Sequence, residues 1–211
     1  MLFDLTLKKT FVTCILCFSA YFINAQPAKN YIIEIDGDTM HVSLDEIAAF
    51  KSRDGQTHKV KISRKEFLNY NNRSITFNYP SQYSVSSTKI DEDVEQILLM
   101  TATGNGLMIQ VYGSVNPELM IDLMLNEVTQ DDISAGYKQT VTEVQKTISD
   151  GTVLKGKKAV LKLDSDTEEF VCFANGKRKR GVMIMEIRND IEDADAVKMF
   201  EVFWKSLGIK Y

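Results

Sequence analysis

The chain has 211 residues and a formal net charge of −4 at pH 7, with 26% charged and 44% hydrophobic residues. This size and composition fit one globular domain, or one domain with a small extension, and exclude a disordered or fibrous protein. The mildly acidic balance argues against a protein that binds nucleic acid non-specifically, because such binding needs a net positive face.

The first 25 residues have the layout of a secretory signal peptide. The basic pair Lys8–Lys9 precedes the apolar run Phe11–Phe18, and the small residue Ala25 stands before Gln26. We therefore predict cleavage between Ala25 and Gln26, with export to the periplasm or the medium. No stable membrane span is expected in the mature chain, because a transmembrane helix needs about 20 apolar residues.

Residues 26–72 are predicted to form an N-terminal extension of strands and short helices. Tyr31–Ile35 and Thr39–Val42 have strand character on either side of an Asp-Gly-Asp turn, and Thr57–Ile62 is a third strand. Ser43–Glu46 and Ser63–Glu66 each match a capping box, which predicts a short helix after each box.

The first of these helices would bury Ile47 and Phe50, and the second Phe67 and Tyr70. The repetition has two interpretations. It is either a duplicated strand–turn–helix unit, or a consequence of the few residue types that turns and caps use.

Residues 73–211 are predicted to form the main domain, in which strands dominate. The predicted strands are Ile75–Tyr79, Tyr83–Val85, Ile97–Met100, Leu107–Ile109, Val153–Leu163, Phe170–Ala174 and Arg180–Ile187. Several of them are apolar on both faces. Such strands must be covered on both faces, since each exposed Å² of apolar surface would cost about 25 cal/mol.

Two long helices can provide this cover. The first begins at Asn116 as N-cap with Pro117 next, and the second begins near Asp193 and ends at Gly208. Their apolar stripes are Leu119, Met120, Leu123, Met124 and Val128 in the first helix and Val197, Phe200, Trp204 and Leu207 in the second. The predicted fold class is α+β, a mostly antiparallel β-sheet with helices on both faces.

The segment Ile75–Val85 resembles the opening of PsbP/Mog1-like domains, in which a strand ends in Tyr-Pro and an aromatic residue follows. The residues in question here are Tyr79, Pro80 and Tyr83. The closing stretch Ala194–Ile209 is similar to the final helix of that family and its Ser-Leu end.

The resemblance covers roughly residues 73–211 and implies an α/β/α sandwich with an accessory, chaperone-like or partner-binding role. It identifies no functional residue here. Gln26 and Asp38–Met40 are also similar to exported proteins of Bacteroidetes, in which Asp-Thr-Met can accept an O-linked sugar.

Residues with potential catalytic or metal-binding chemistry are few. A metal site at His41 and His58, helped by Asp36 or Asp38, is conceivable, but no HxH or HExxH spacing supports it, and exposed strand histidines are favoured. Cys172 is the one cysteine left after cleavage, which excludes an internal disulfide. Its apolar strand favours an inert thiol over a catalytic nucleophile. We predict no catalytic residues, no metal and no cofactor.

Two charged turns complete the pattern. The acidic run Asp164–Glu169 lacks the glycine and final glutamate of a calcium loop and predicts an acidic hairpin turn. Lys177, Arg178, Lys179 and Arg180 form a basic turn, which Lys155, Lys157 and Lys158 could extend. The two turns would lie at opposite ends of one meander, so the basic turn could orient a partner or could be a solvated turn.

The sequence therefore predicts an exported, non-enzymatic accessory or partner-binding domain of the cell envelope, whose partner is another envelope protein. Two alternatives stay open. One is a hydrolase with a site assembled from dispersed carboxylates and hydroxyls. The other is a carrier of a small apolar ligand, held between the methionine-rich first helix and the sheet.

Overall fold

The structure is a computed structural model that describes residues 31–189 and 191–210. The predicted signal peptide and its cleavage site at Ala25 and Gln26 lie outside the described residues. The chain divides into two compact units, with the boundary between Arg64 and Lys65.

The described part of the first unit, residues 31–64, contains two antiparallel β-hairpins. Its strands are β1 (Tyr31–Ile35), β2 (Asp38–Val42), β3 (Ile47–Lys51) and β4 (Thr57–Lys61). Asp36 and Gly37 form the turn between β1 and β2 with φ angles of 51° and 83°. An Asp-Gly pair suits this turn because both positions need positive φ.

Both helices predicted after the capping boxes are wrong. The first segment forms β3, and Phe67–Asn71 forms strand β5 of the second unit. At the first box the chain turns at Asp45, which has φ +62° and donates its amide to the Ile62 carbonyl oxygen at 2.8 Å. The Ser43 hydroxyl has no hydrogen-bond partner among the described residues. Strand pairing satisfies more backbone hydrogen-bonding groups than one isolated helical turn, and the nucleation of such a turn is unfavourable. Since neither helix forms, the interpretation as a duplicated strand–turn–helix unit is also wrong.

A seven-stranded sheet forms the body of the second unit, and all its neighbouring strands are antiparallel. In spatial order the strands are β10 (Lys138–Thr147), β11 (Val153–Leu163), β12 (Asp166–Lys177), β13 (Arg180–Arg188), β9 (Gly106–Tyr112), β8 (Val94–Met100) and β7 (Val85–Asp91). A second sheet joins β14 (Gly208–Ile209), β6 (Ile75–Pro80) and β5. The prediction of a mostly antiparallel sheet is confirmed.

Two helices accompany these sheets, α1 (Ile121–Ser134) and α2 (Ala194–Ser206), and a 3₁₀ turn (Pro117–Met120) leads into α1. The predicted N-cap at Asn116 and the predicted helix start at Asp193 are both present. The Asn116 side chain accepts the Glu118 amide at 3.0 Å, and Asp193 caps α2. No helix in residues 31–189 and 191–210 is long and apolar enough to cross a bilayer.

The buried apolar side chains of the second unit form two clusters. Along β13, Val182 and Ile184 belong to the cluster that includes α2, whereas Met183 and Met185 belong to the cluster that includes α1. The helix residues in the clusters are Ile121 and Leu125 of α1 and Ala196, Met199, Phe200, Phe203 and Trp204 of α2. Successive side chains of a strand point to opposite faces, so β13 is buried on both of them.

Aromatic rings and one buried carboxylate hold α2 on the sheet. The Phe203 ring makes edge-to-face contacts with Phe77 and Trp204, each with ring centroids 5.0 Å apart. The Trp204 indole N–H donates to Glu186, a residue of β13 that is 2% exposed. Arg188 donates to the same carboxylate at 2.6 Å and 3.0 Å, so the buried charge is fully paired.

The N-cap of α2 gives a test of pH dependence. Asp193 accepts hydrogen bonds from Thr103 at 2.6 Å, from Asn105 at 2.9 Å and from the amides of Asp195 and Ala196. These bonds, the Thr103 bond first, lower the pKa of Asp193 from 3.8 to about 2. A lowered folded-state pKa means that the carboxylate stabilises the fold above its ordinary pKa and loses this effect as the pH falls towards the lowered value.

We expect Asp193→Ala to lower the free energy of unfolding near pH 6, with the difference from wild type shrinking towards about pH 2. Urea unfolding followed by circular dichroism at both pH values measures this difference. Asp195→Ala, in the same helical turn, is the matched control and should change little. A difference independent of pH would contradict the role of the Asp193 charge.

Candidate docking surface at a basic turn

The predicted basic turn is the tip of the β12–β13 hairpin. Lys177 and Arg180 face each other in the strand register, so Arg178 and Lys179 are the two turn residues. Arg178 has φ +60°, a region that non-glycine residues adopt rarely. All four side chains are exposed, and none forms an ion pair within the described residues.

The 3₁₀ turn before α1 packs against the strands directly below this tip. The Glu118 carboxylate accepts the Gly176 amide at 3.0 Å. A Cβ atom at Gly176 would lie 1.8 Å from the Asn116 side-chain oxygen, and one at Gly181 would lie 2.5 Å from Pro117 Cδ. The two glycines therefore allow the 3₁₀ turn to approach the strand backbone closely. Gly176 belongs to β12 and not to the hairpin turn.

Two leucines that follow this contact along the chain are exposed, which corrects two positions of the predicted apolar stripe of α1. Leu119 is 84% exposed and Leu123 is 62% exposed, although both were expected to face the sheet. Met120, Met124 and Val128 of the predicted stripe do pack against the buried cluster, and the fully buried positions of α1 are Ile121, Leu125 and Thr129. The helix carries two apolar stripes at helical spacing, and a helix on a sheet can bury only one of them. We call Lys177, Arg178, Lys179, Arg180, Leu119 and Leu123 the docking tip.

Further cations lie beside the docking tip. Arg73 and Lys210 line a hollow of about 260 Å³ together with Arg180. Lys210 donates to the Asn71 side chain at 2.5 Å and to a backbone carbonyl oxygen at 3.2 Å. A second hollow of about 390 Å³ is lined by Gly113 and the four cations of the turn. No sequence pattern associates Arg73 and Lys210 with the turn, because they are distant from it along the chain.

The lysines of β11 contribute less to this surface than expected. Lys157 is paired with Asp122 at 2.5 Å, and Lys158 with Glu169 at 2.6 Å. Lys155 lines a separate cleft that also contains Glu118. The positive charge at the docking tip therefore depends on the turn itself.

The acidic turn is at the other end of β12, as predicted. Asp164 has φ +53° in the tight turn between Leu163 and Asp166, which pair across the hairpin. The hydrogen bond that Tyr137 donates to Asp166 raises the pKa of Tyr137 to about 12. The eleven-residue separation from Asp166 to Lys177 corresponds to roughly 36 Å along the strand. The second unit thus has opposite charges at the two ends of one strand.

The residues considered for metal binding do not assemble into a site. His41 is on β2 and His58 on β4, and both are exposed. His58 lines a hollow of about 530 Å³ in the first unit with Asp36 and Asp38, whereas His41 is not in its lining. Among the described residues, no group of three or more His, Cys, Asp or Glu side chains could hold a metal ion.

The same hollow contains a Ser–His–Asp group whose order differs from that of a catalytic relay. Ser52 donates to Asp54, and its hydroxyl lies 3.3 Å from His58 Nε2. A relay needs the histidine between the serine and the acid, but here the serine is in the middle. Asp54 also accepts the Gln56 amide at 3.3 Å, and the Ser52 bond lowers its pKa. The group stabilises the β3–β4 turn.

The chain was compared with family models, curated proteins and solved structures. No family model matches the sequence, and a search of curated proteins finds no match. The structure is similar to the solution structure of cyanobacterial PsbP (CyanoP) from Synechocystis sp. PCC 6803, with a TM-score of 0.47 and 10% sequence identity. The match covers 68% of this chain and 92% of that chain. No residue role is transferred from that protein.

The reactivity of Cys172 tests the burial of β12. It is fully buried on β12, and burial raises the pKa of its thiol to about 12. We expect iodoacetamide near pH 8 to leave Cys172 unmodified in the folded chain and to modify it in concentrated urea, because the thiolate is the reactive form. Peptide mass spectrometry assigns the label to Cys172. Modification of Cys172 at equal rates in both samples would contradict its burial.

Substitution of Gly181 tests how closely the 3₁₀ turn packs against β13. Gly181→Ala should displace the 3₁₀ turn, since the new Cβ would lie 2.5 Å from both Pro117 Cδ and the Asn175 carbonyl oxygen. We expect the free energy of unfolding to fall by about 1–3 kcal/mol in urea titrations. Gly113→Ala is the control, because its nearest atom is the Asp93 side-chain oxygen at 3.3 Å. Equal stability of both variants would mean that the contact is not tight.

Proposed function

We propose that the second unit is a non-enzymatic, partner-binding module of an exported envelope protein, and that it docks on an acidic protein surface through the docking tip. The observation that carries this proposal is the placement of four exposed cations without ion-pair partners in the described residues beside two exposed leucines. A surface with this composition combines an apolar anchor with a charged rim, as protein interfaces do.

The leucines and the cations have different tasks in this proposal. Full burial of one leucine side chain contributes about 1.5–3 kcal/mol, whereas one solvent-exposed ion pair contributes only about 0–1 kcal/mol. Leu119 and Leu123 would therefore supply most of the affinity. The four cations would supply orientation and a faster association rate, because an otherwise acidic chain presents one positive end to its partner.

A protein is favoured over a lipid bilayer as the partner because carboxylates lie close to the leucines. Asp122 stands next to Leu123 with 71% of its side chain exposed. The Asp93 side chain lies near Gly113, and Gly113 is a lining residue of the hollow beneath the turn. An anionic bilayer would repel the Asp93 carboxylate and would gain nothing from Asp122, which is already paired with Lys157, whereas a protein can place cations against exposed carboxylates.

The proposal includes the export route and the layered fold. The sequence of residues 1–25 supports a periplasmic or secreted location. The α/β/α sandwich of PsbP/Mog1-like domains is supported by the sequence resemblance and by the alternation along β13 between the α1 and α2 clusters. A rigid sandwich suits a docking module, since the tip is then presented without reorganisation.

The docking tip is tested by affinity capture from the native envelope fraction with quantitative mass spectrometry. One variant changes Lys177, Arg178, Lys179 and Arg180 to serine, and another changes Leu119 and Leu123 to serine. We expect both to lose the same captured protein, the charge variant mainly at low salt, since salt screens exposed charges beyond about 10 Å at 0.1 M.

The matched control changes Lys138 and Lys162 to serine. These exposed lysines face each other on β10 and β11 at the acidic end of the sheet. The control should retain the captured protein. Undiminished capture by both tip variants would contradict the proposal, and so would tip-dependent binding to phosphatidylglycerol vesicles with no protein captured.

A further inference from the structure

A second concave surface lies on the other side of the second unit, between α2 and the end of β10. It is a groove of about 480 Å³, within the range of small-molecule sites, and we call it the α2 groove. The residues that matter for its chemistry are Lys146, Ile148, Arg188, Phe200, Trp204 and Lys205. Arg188 is at the opposite end of β13 from Arg180. Lys146 lies at the same end of the sheet as the basic turn, but its ammonium is on the Trp204 ring, and the groove shares no lining residue with the hollow under the turn.

The floor of the α2 groove is apolar. Ile148, Phe200 and Trp204 are 4%, 3% and 8% exposed, and Val197 at the rim is 41% exposed. The indole N–H of Trp204 is already bonded to Glu186. The ring therefore offers its carbon face to the groove rather than a hydrogen bond, which suits an apolar ligand body.

Two cations lie over this aromatic floor. The Lys146 ammonium is 4.5 Å from the centroid of the Trp204 ring, and the Arg188 guanidinium is 4.8 Å from that of Phe200. Such contacts are weak at exposed sites, so a ligand can displace a lysine stem from a ring at little cost. The cations are close enough to meet the charged end of a ligand bound on the rings.

The charges around the groove leave one cation uncompensated. Arg188 is paired with Glu186 at 2.6 Å, and Lys205 with Glu201 at 3.3 Å. Lys146 is half-buried and has no ion pair within residues 31–189 and 191–210. The complementary ligand therefore carries one negative charge on an apolar body.

We propose that the α2 groove binds an apolar monocarboxylate of the medium-chain fatty acid class. The carboxylate pairs with Lys146 and the hydrocarbon body lies on Trp204 and Phe200. This site differs from the carrier site predicted from sequence, because Met120 and Met124 pack against the α1 cluster instead of lining an open space. It is independent of the docking tip and of its partner.

The single tryptophan of the chain is Trp204, so intrinsic fluorescence reports on this groove alone. The test titrates the full chain with decanoate, 1-decanol and decylamine below their aggregation limits. We expect a saturable change in Trp204 emission with decanoate, about tenfold weaker affinity for 1-decanol, and no saturable change with decylamine.

Lys146→Met retains the apolar stem and removes the charge. It should weaken decanoate binding about tenfold and leave 1-decanol binding unchanged. Lys146→Gln repeats the test with a polar neutral side chain if the methionine variant fails to fold. Lys205→Met is the matched control, because Lys205 is exposed and already paired with Glu201, and it should bind decanoate nearly as wild type does.

Equal responses to the three ligands, or decanoate binding that both Lys146 variants leave unchanged, would overturn the proposal. The docking-tip variants should bind decanoate as wild type does. This result separates the two proposals, since failure at the groove would leave capture by the tip intact.

Discussion

Burial of the β12–β13 hairpin on both faces is the constraint on which the second unit depends. Val182 and Met183 are adjacent on β13, yet they belong to different clusters and are 1% and 2% exposed. Neither face of the strand is bare, because the side chains on one face belong to the cluster that includes α2 and those on the other to the cluster that includes α1. Both proposed sites follow from this arrangement. The hairpin presents its turn to solvent at one end, and at the other end its last residue, Arg188, reaches the groove beside α2.

The paired charge at Glu186 fixes the α2 side of this arrangement. A buried carboxylate without partners would be strongly unfavourable, so Trp204 and Arg188 must keep the positions from which they donate to it. The same two residues are a floor residue and a wall residue of the α2 groove. The groove is therefore preformed by an interaction that the fold needs for its own stability, which lowers the ordering cost of binding a ligand.

The sequence predicts features that are encoded locally and misses those that tertiary packing decides. The hairpin around Asn105, the N-caps at Asn116 and Asp193 and both charged turns are specified by a few adjacent residues. β10 is missed because its residues are mostly exposed and polar, so only its pairing with β11 defines it. The capping boxes predict helices because the hydrogen bonds of β3 and β5 come from strands elsewhere in the chain.

The two proposed sites were predictable to different degrees for the same reason. The basic turn is continuous in sequence and can be recognised there. The exposure of Leu119 and Leu123 cannot, because it depends on which stripe of α1 packs on the sheet. The α2 groove is formed by residues of β10, β13 and α2, which are distant in sequence. Lys146 can be identified as its uncompensated cation only from the structure, which shows that Arg188 and Lys205 are paired with acids. Because the groove and the hollow under the basic turn share no lining residue, and Lys146 contacts Trp204 rather than the turn, substitutions at the two sites should act additively. Coupling between them would require β13 itself to shift, which its packing on two sides opposes.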